Sequence, residues 1–178
     1  MEFSPVMTAK LDPRVFRNLS YGLYIVTSCD ADRRNGQIIN TAIQVTSEPA
    51  RVAVIVNKKN FTHELISKSG IFSVSVLEEA TPLTFIGPFG FKSGRNIDKF
   101  ANVQIKTGIT GVPLVIEHAL SVMEAKVIDQ IDLGSHTIFV GEVVSSEVLK
   151  EGRPLTYQYY HEHLKGKSPP NAPTFNKG

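Results

Sequence analysis

The chain is poor in the features that usually announce a catalytic site. It has one cysteine, Cys29. A lone thiol excludes an internal disulfide framework and a cysteine cluster for zinc or iron–sulfur, and it suits a reducing cytoplasm. No histidine lies near Cys29 in sequence, so it reads as a small residue near a strand end rather than a nucleophile. Charge of either sign is scarce in excess: the net charge is +2 over 178 residues. That argues against a broad nucleic-acid face, which needs a basic surface. No apolar run approaches the length of a membrane span, and the N-terminal MEFSPVMTAK lacks the apolar core of a signal peptide. The expectation is a cytoplasmic protein with no membrane partner. A GxGxxG after the first strand, a GxxxxGK[ST] loop and a GxSxG elbow are all missing, which removes the Rossmann, P-loop and α/β-hydrolase readings. Neither an internal repeat nor a linker appears, so residues 1–178 read as one domain.

What is present alternates between short strands and shorter helices. Residues 1–11 read as a loose arm, and Asp12-Pro13 as a helix start running to Asn18. Residues 21–28 (YGLYIVTS) are aromatic and β-branched, hence a strand. Asn35-Gly36 then predicts a hairpin turn, with a return strand over 37–46. Residues 52–56 form a short apolar strand. Asn60 or Thr62 caps a helix to about Ser69, which Gly70 ends. The alternation in 71–77 predicts a half-buried strand, and Thr81-Pro82 opens a short helix. Residues 86–100, with three glycines and Pro88, read as an irregular loop. Residues 114–128 predict a long strand or a bent pair, 129–135 a turn, and 136–148 a strand. Gly141 inside that last strand marks a bulge or a close approach. From about 150 the chain reads as an extended tail, Pro- and Gly-rich at its end. Short strands with few helices favour an antiparallel barrel over a parallel α/β sheet.

Residues 40–62 carry the densest chemistry. Asn57, Lys58, Asn60 and Thr62 combine amides, an ammonium and a hydroxyl at a helix N-terminus, which suits a phosphate. Gln44, Thr46 and Ser47 form a polar strand end. In 86–100, Phe89, Phe91 and Phe100 can anchor a loop while Lys92, Arg95 and Lys99 face a cleft; a packed surface loop with solvated cations is the equal alternative. A flat aromatic cofactor needs apolar walls, backbone amides at its polar edge and a phosphate anchor, and these stretches supply each part. His161 and His163 form an HxH pair without a third ligand nearby, so they read as solvated or structural rather than metal-binding. His118 follows Glu117 in an apolar stretch and reads as a satisfied structural histidine.

Four stretches carry a resemblance: NGQIINTAIQVTSEP with the following VNKKNFTHELI, then FGFKSGRNIDKF, GSHTIFVGEV, and PLTYQYYHEHLKGKSPPNAPTF. In combination and order they resemble the flavin reductase-like, FMN-binding split-barrel family. The branch is that of NAD(P)H:flavin oxidoreductases related to flavoredoxin and to the reductase part of high-molecular-weight rubredoxins. The resemblance implies a mainly β fold, an antiparallel split β-barrel with short peripheral helices, forming a homodimer with FMN near the subunit interface. Residue by residue it implies that Asn40, Thr41, Gln44, Val45, Thr46 and Ser47 line the isoalloxazine and ribityl chain. It also implies that Asn57, Lys58, Asn60 and Thr62 hold the phosphate. Lys99 and His136 should lie close to the flavin ring as the catalytic candidates, with Tyr160 packing from the tail.

The implied activity is hydride transfer from NADH or NADPH to FMN, with electrons passed on to oxygen, free flavin or a rubredoxin-like or other redox protein. The rubredoxin relatives continue into a cysteine-rich iron domain. Here the chain stops at Gly178 with Cys29 as its only cysteine, so an iron-containing acceptor is expected to be a separate protein. Two alternatives remain at this point: a non-enzymatic FMN electron carrier, and a related split barrel that binds haem or a pyridoxal-type phosphate. Arg33, Arg34 and Arg95 are available for a 2′-phosphate, but the sequence does not choose between the two nicotinamides.

Overall fold

The computed structural model describes residues 12–175; the expected arm at 1–11 lies outside them. Among the described residues, nine strands and three α-helices follow a 3-10 turn at Pro13–Asn18, where Arg14 N donates to Asp12 Oδ1 (3.0 Å). Seven strands form one antiparallel sheet in the order β2-β1-β5-β8-β9-β4-β3. They are β1 (Tyr24–Asp30), β2 (Arg33–Ile39), β3 (Ala42–Ser47), β4 (Ala50–Asn57), β5 (Ile71–Leu77), β8 (Ala119–Asp132) and β9 (His136–Val148). β6 (Ile105–Thr107) and β7 (Pro113–Val115) make a separate small pair.

The two edges of the large sheet, β2 and β3, are successive in the chain. Only Asn40 and Thr41 separate them. Two residues span roughly 7 Å fully extended, so the end of β2 lies close to the start of β3 and the sheet curls toward this corner without closing. No ladder joins β2 to β3.

Several elements differ from the sequence expectation. The first hairpin turns at Ala31-Asp32, with Asp30 opposite Arg33 and Ala31 at φ 50°. Asn35-Gly36 lies inside β2 instead, Gly36 opposite Thr27. A Cβ on Gly36 would sit 3.1 Å from the Phe89 ring, so this glycine serves a close approach, not a turn. The return strand breaks at Asn40-Thr41, and β3 is a separate edge strand. Residues 86–100 are not all loop: α2 (Leu83–Phe91) runs through Pro88. Burial of Ile86 and Phe89, one turn apart, outweighs the one hydrogen bond Pro88 gives up. The long strand over 114–128 resolves into β7 and β8, and β8 extends to Asp132 before the turn. The tail is not extended throughout, since Thr156 caps α3 (Tyr157–Glu162) through its side chain (Tyr159 N to Oγ1, 3.1 Å).

Other expectations match the structure. α1 (Phe61–Ser69) ends at Gly70 with φ 68°. β9 spans His136–Val148, and a Cβ at Gly141 would lie 2.7 Å from both Ala125 Cβ and the Phe72 ring. Three buried clusters fill the fold, the smallest joining Val112, Leu114, Ala119 and Val122 around β7 and β8. Of the two larger, one joins Val26, Val54, Val56, Phe72 and Phe139 inside the curled sheet, with Ile66 of α1 among them. The other joins Leu23, Ile25, Ile86, Phe89, Phe100 and Tyr160, fastening α2 and α3 beside β1 and β2. A cleft lies where these elements meet the ends of β2 and β4.

Candidate functional site

The cleft holds a cavity of about 360 Å³. β2 and the corner after it supply Gln37, Ile38 and Asn40. β4 supplies Ile55 and Asn57, and α2 supplies Ile86, Phe89 and Phe91. The loop after α2 brings Lys92, Ser93, Arg95 and Lys99; α3 brings Tyr157 and Tyr160. Residues 167–173 close the remaining side. Among the described residues lining it, five are cationic (Lys59, Lys92, Arg95, Lys99 and Lys167) and none is a carboxylate.

The loop between β4 and α1 sorts its residues by side. Asn57 Oδ1 accepts from Lys59 N (2.9 Å), and Asn60 N donates to Asn57 O (3.0 Å). This tight turn sends adjacent side chains apart. Lys59, Asn60 and Phe61 face the cavity. Lys58 does not line it; its ammonium pairs with Asp132 at the end of β8. Asn60 is the α1 N-cap by position, but its side chain caps nothing. Thr62 is fully buried and accepts from Asn35 Nδ2 (2.8 Å), so it props a lining residue rather than lining the cavity itself.

Arg95 is held at the cavity edge. Its guanidinium lies 5.0 Å from the centroid of Phe61, bonds Glu64 (3.0 Å) and reaches Lys59 O (3.4 Å). Glu64 also receives Arg33 and Lys68; these cations, Arg33 first, hold its carboxyl down to about 2. The carboxylate therefore stays charged and keeps Arg95 in place at any ordinary pH.

Lys99 is buried, with Nζ donating to Gly36 O (2.9 Å) and Phe89 O (3.3 Å). Burial pushes its ammonium down to about 8. It still carries its charge at pH 7 and loses it as the pH rises through that value. Two amide oxygens of lining residues, Gln37 Oε1 and Asn40 Oδ1, are buried without any hydrogen-bond partner in the structure. Native interiors rarely leave such acceptors unmet, so both await a donor.

Of the residues expected at the site, Asn40, Asn57, Asn60, Lys99 and Tyr160 come together on the cavity. Thr41, Gln44, Val45, Thr46, Ser47, Lys58, Thr62 and His136 do not line it. Thr41 Oγ1 donates to Ile55 O (3.2 Å). Gln44 through Ser47 lie on edge strand β3, which also exposes Ile43. His136 sits just beyond Asn57, with Nε2 donating to Asn171 O (3.3 Å) and Nδ1 accepting from Ser135 Oγ (2.8 Å). Lys59, Gln37 and the tail residues 167–173 line the cavity without a sequence signal that assigns them to it. Lys92 and Arg95 were read as facing a cleft, and they do. His161 is engaged with the tail (Nδ1 to Gly166 O, 2.9 Å), and His163 stacks on Tyr159. His118 bonds Glu78 (3.1 Å) against the edge of Phe85.

Comparison with known proteins adds an independent line. The model of the flavin reductase like domain matches residues 16–167. The ferric-chelate reductase (NAD(P)H) of Archaeoglobus fulgidus is 52% identical over 165 residues, covering 93% of this chain and 98% of that one. The high molecular weight rubredoxin of Moorella thermoacetica is 46% identical over 168 residues, covering 94% of this chain and 73% of that one. Among solved structures, the NADH:FAD oxidoreductase SgcE6 of Streptomyces globisporus superposes with a TM-score of 0.73 at 26% identity, covering 84% of this chain and 92% of that one.

Proposed function

Because the chain belongs to the flavin reductase-like family, we propose that it is an NAD(P)H-dependent flavin oxidoreductase whose cavity holds FMN. The observation that carries the cofactor is the lining: five cations, no carboxylate and two unpartnered amide oxygens around apolar walls. A flavin offers the matching groups, an apolar ring system, an N–H donor on its pyrimidine edge and an anionic phosphate. Gln37 and Asn40 would accept from that N–H. Lys59, Lys92 and Arg95, with the α1 N-terminus, would hold the phosphate. Phe89 and Ile86 would pack against the ring.

Bound FMN supplies a two-electron acceptor for hydride from the nicotinamide. The protein's own part is to bind, orient and exclude water. Lys99 keeps a fixed cation in the wall, where it favours negative charge on a reduced ligand. His136 holds the start of β9 against the tail through the Asn171 carbonyl. The curled sheet, open at the β2–β3 corner, supports the split-barrel form of the fold. The exposed Ile43 (65%) and Val45 (47%) of β3 give an apolar edge that the homodimer would cover. A ferric chelate or a separate redox protein is the acceptor that the names of the two sequence relatives favour.

Titration of the purified protein with FMN and FAD, followed by flavin fluorescence, tests the cofactor. FMN is expected to bind at one per chain and more tightly than FAD. Tighter FAD binding would reassign the cofactor, and failure of both would remove the flavin reading.

A further inference from the structure

The fourth side of the cavity is the chain's own C-terminal segment, and its construction is unlike that of the other three. After α3 the chain turns at Lys165, a non-glycine at φ 56°, and at Gly166, where any side chain would run into the Tyr160 ring. From there to Phe175 it belongs to no strand or helix. Pro169, Pro170 and Pro173 fix much of its backbone. It is a stiff segment on a tight, conformationally demanding hinge.

Its fastenings to the rest of the cavity are hydrogen bonds that involve side chains at three stations, residues 167–168, Asn171 and Thr174. Near the hinge, Tyr160 Oη donates to Lys167 O (2.9 Å), and Tyr157 Oη bonds Ser168 and Thr174. Far from the hinge, Asn171 crosses the cavity. Its Nδ2 donates to Asn60 Oδ1 (3.1 Å), and its carbonyl accepts from Asn57 Nδ2 (3.4 Å) and His136 Nε2 (3.3 Å). Thr174 Oγ1 accepts from Asn40 Nδ2 (2.8 Å), which fixes the amide that leaves Asn40 Oδ1 unpartnered. No ladder or buried ion pair is given up when these bonds part, and each has water as a ready substitute.

Size sets the consequence. With the segment in place the cavity is about 360 Å³, at the low end of the roughly 300–1,000 Å³ of small-molecule sites. That space is on the scale of one mononucleotide rather than of a mononucleotide and a dinucleotide together. Hydride transfer needs the two rings within about 3.5 Å of each other.

We propose that residues 167–173 form a strap that shuts the flavin into its cavity and must lift for the nicotinamide to enter, with Asn171 as the latch. The proposal rests on the flavin reading above. The strap holds the cofactor by closing and admits the co-substrate by opening about Lys165-Gly166. Flavin retention and nicotinamide access are therefore opposed through one latch.

Two forms of the protein test this: Asn171→Ala in the full chain, and a chain ending at Gly166. The first readout is trypsin cleavage after Lys165 and Lys167 in the wild type, with and without FMN. Bound FMN is expected to slow cleavage at least fivefold. The second is release of FMN on dilution, followed by fluorescence: both variants are expected to release it about tenfold faster, and to be reduced by limiting NADH faster than wild type. Equal cleavage with and without FMN, or release from Asn171→Ala within twofold of wild type, would overturn the strap. Failure of the wild type to bind FMN would instead refute the flavin reading itself. If the shortened chain does not fold, the point variant and the cleavage assay decide.

Discussion

Replacing Lys59 and Arg95 together by alanine is expected to weaken FMN binding about 100-fold, while Lys58→Ala changes it less than threefold. The two lysines are adjacent in sequence and face opposite ways. Lys59 lines the cavity; Lys58 is paired with Asp132. A charge-assisted hydrogen bond contributes about 1.5–3 kcal/mol, and solvent at the cavity mouth lowers that figure for Lys59 and Arg95. A combined loss of about 3 kcal/mol corresponds to roughly two decades in affinity. The loss should shrink at high salt, because both groups are partly exposed and screened. Fluorescence titration of the three proteins at one ionic strength checks it. If Lys58→Ala matches the double variant, the phosphate sits on the other side of the β4–α1 loop.

Glu124→Ala is expected to cost about 4 kcal/mol of folding stability without touching the cavity. Glu124 lies in the middle of β8 with 1% of its surface exposed. Its carboxylate accepts from Ile109 N (3.0 Å), Thr110 N (2.9 Å) and Thr110 Oγ1 (2.7 Å). It therefore fastens the turn between β6 and β7 to the main sheet. Removing it strands two backbone donors, each costing about 1–3 kcal/mol if left unmet, and leaves a side-chain-sized void. Desolvation pushes this carboxyl up, but the hydrogen bonds from Thr110 and Ile109 outweigh it and leave the group below the ordinary glutamate value of 4.5. A depressed folded value means the contribution is complete above about 4.5 and drains away as the pH falls through the folded value. Urea unfolding at pH 7 should show the full loss in the midpoint. Below pH 4.5 the wild type should lose stability more steeply than the variant. A variant as stable as wild type at pH 7 would mean that the 109–110 turn holds itself.

How much of this was legible in the sequence depended on whether the signal was local. β9 was read at its observed bounds because residues 136–148 are rich in β-branched and apolar residues, and Gly134-Ser135 marks the turn before them. The end of α1 was readable because Gly70 is a left-handed cap. Asn35-Gly36 misled because a hairpin signal and a packing glycine look alike until Phe89, more than fifty residues away, is placed over it. The start of α2 was readable at Thr81-Pro82, but its run into 86–91 was hidden by Pro88 and its glycines, whose cost is met by burial of Ile86 and Phe89. At the site, the 57–60 loop could be found, but the side of the turn on which each lysine falls could not. Gln37 is one inward position on β2, indistinguishable from its neighbours without the fold. The tail reaches the cavity through contacts spanning more than a hundred residues, from Asn171 to Asn57 and Asn60, and no local pattern encodes them.

The most direct test is anaerobic mixing of the FMN-loaded protein with NADH, and separately with NADPH, while the flavin absorbance is recorded. Rapid and stoichiometric bleaching by at least one of the two nicotinamides is the predicted result. Flavin bands that persist with both would contradict an oxidoreductase and leave a protein that holds FMN but takes its electrons from another carrier.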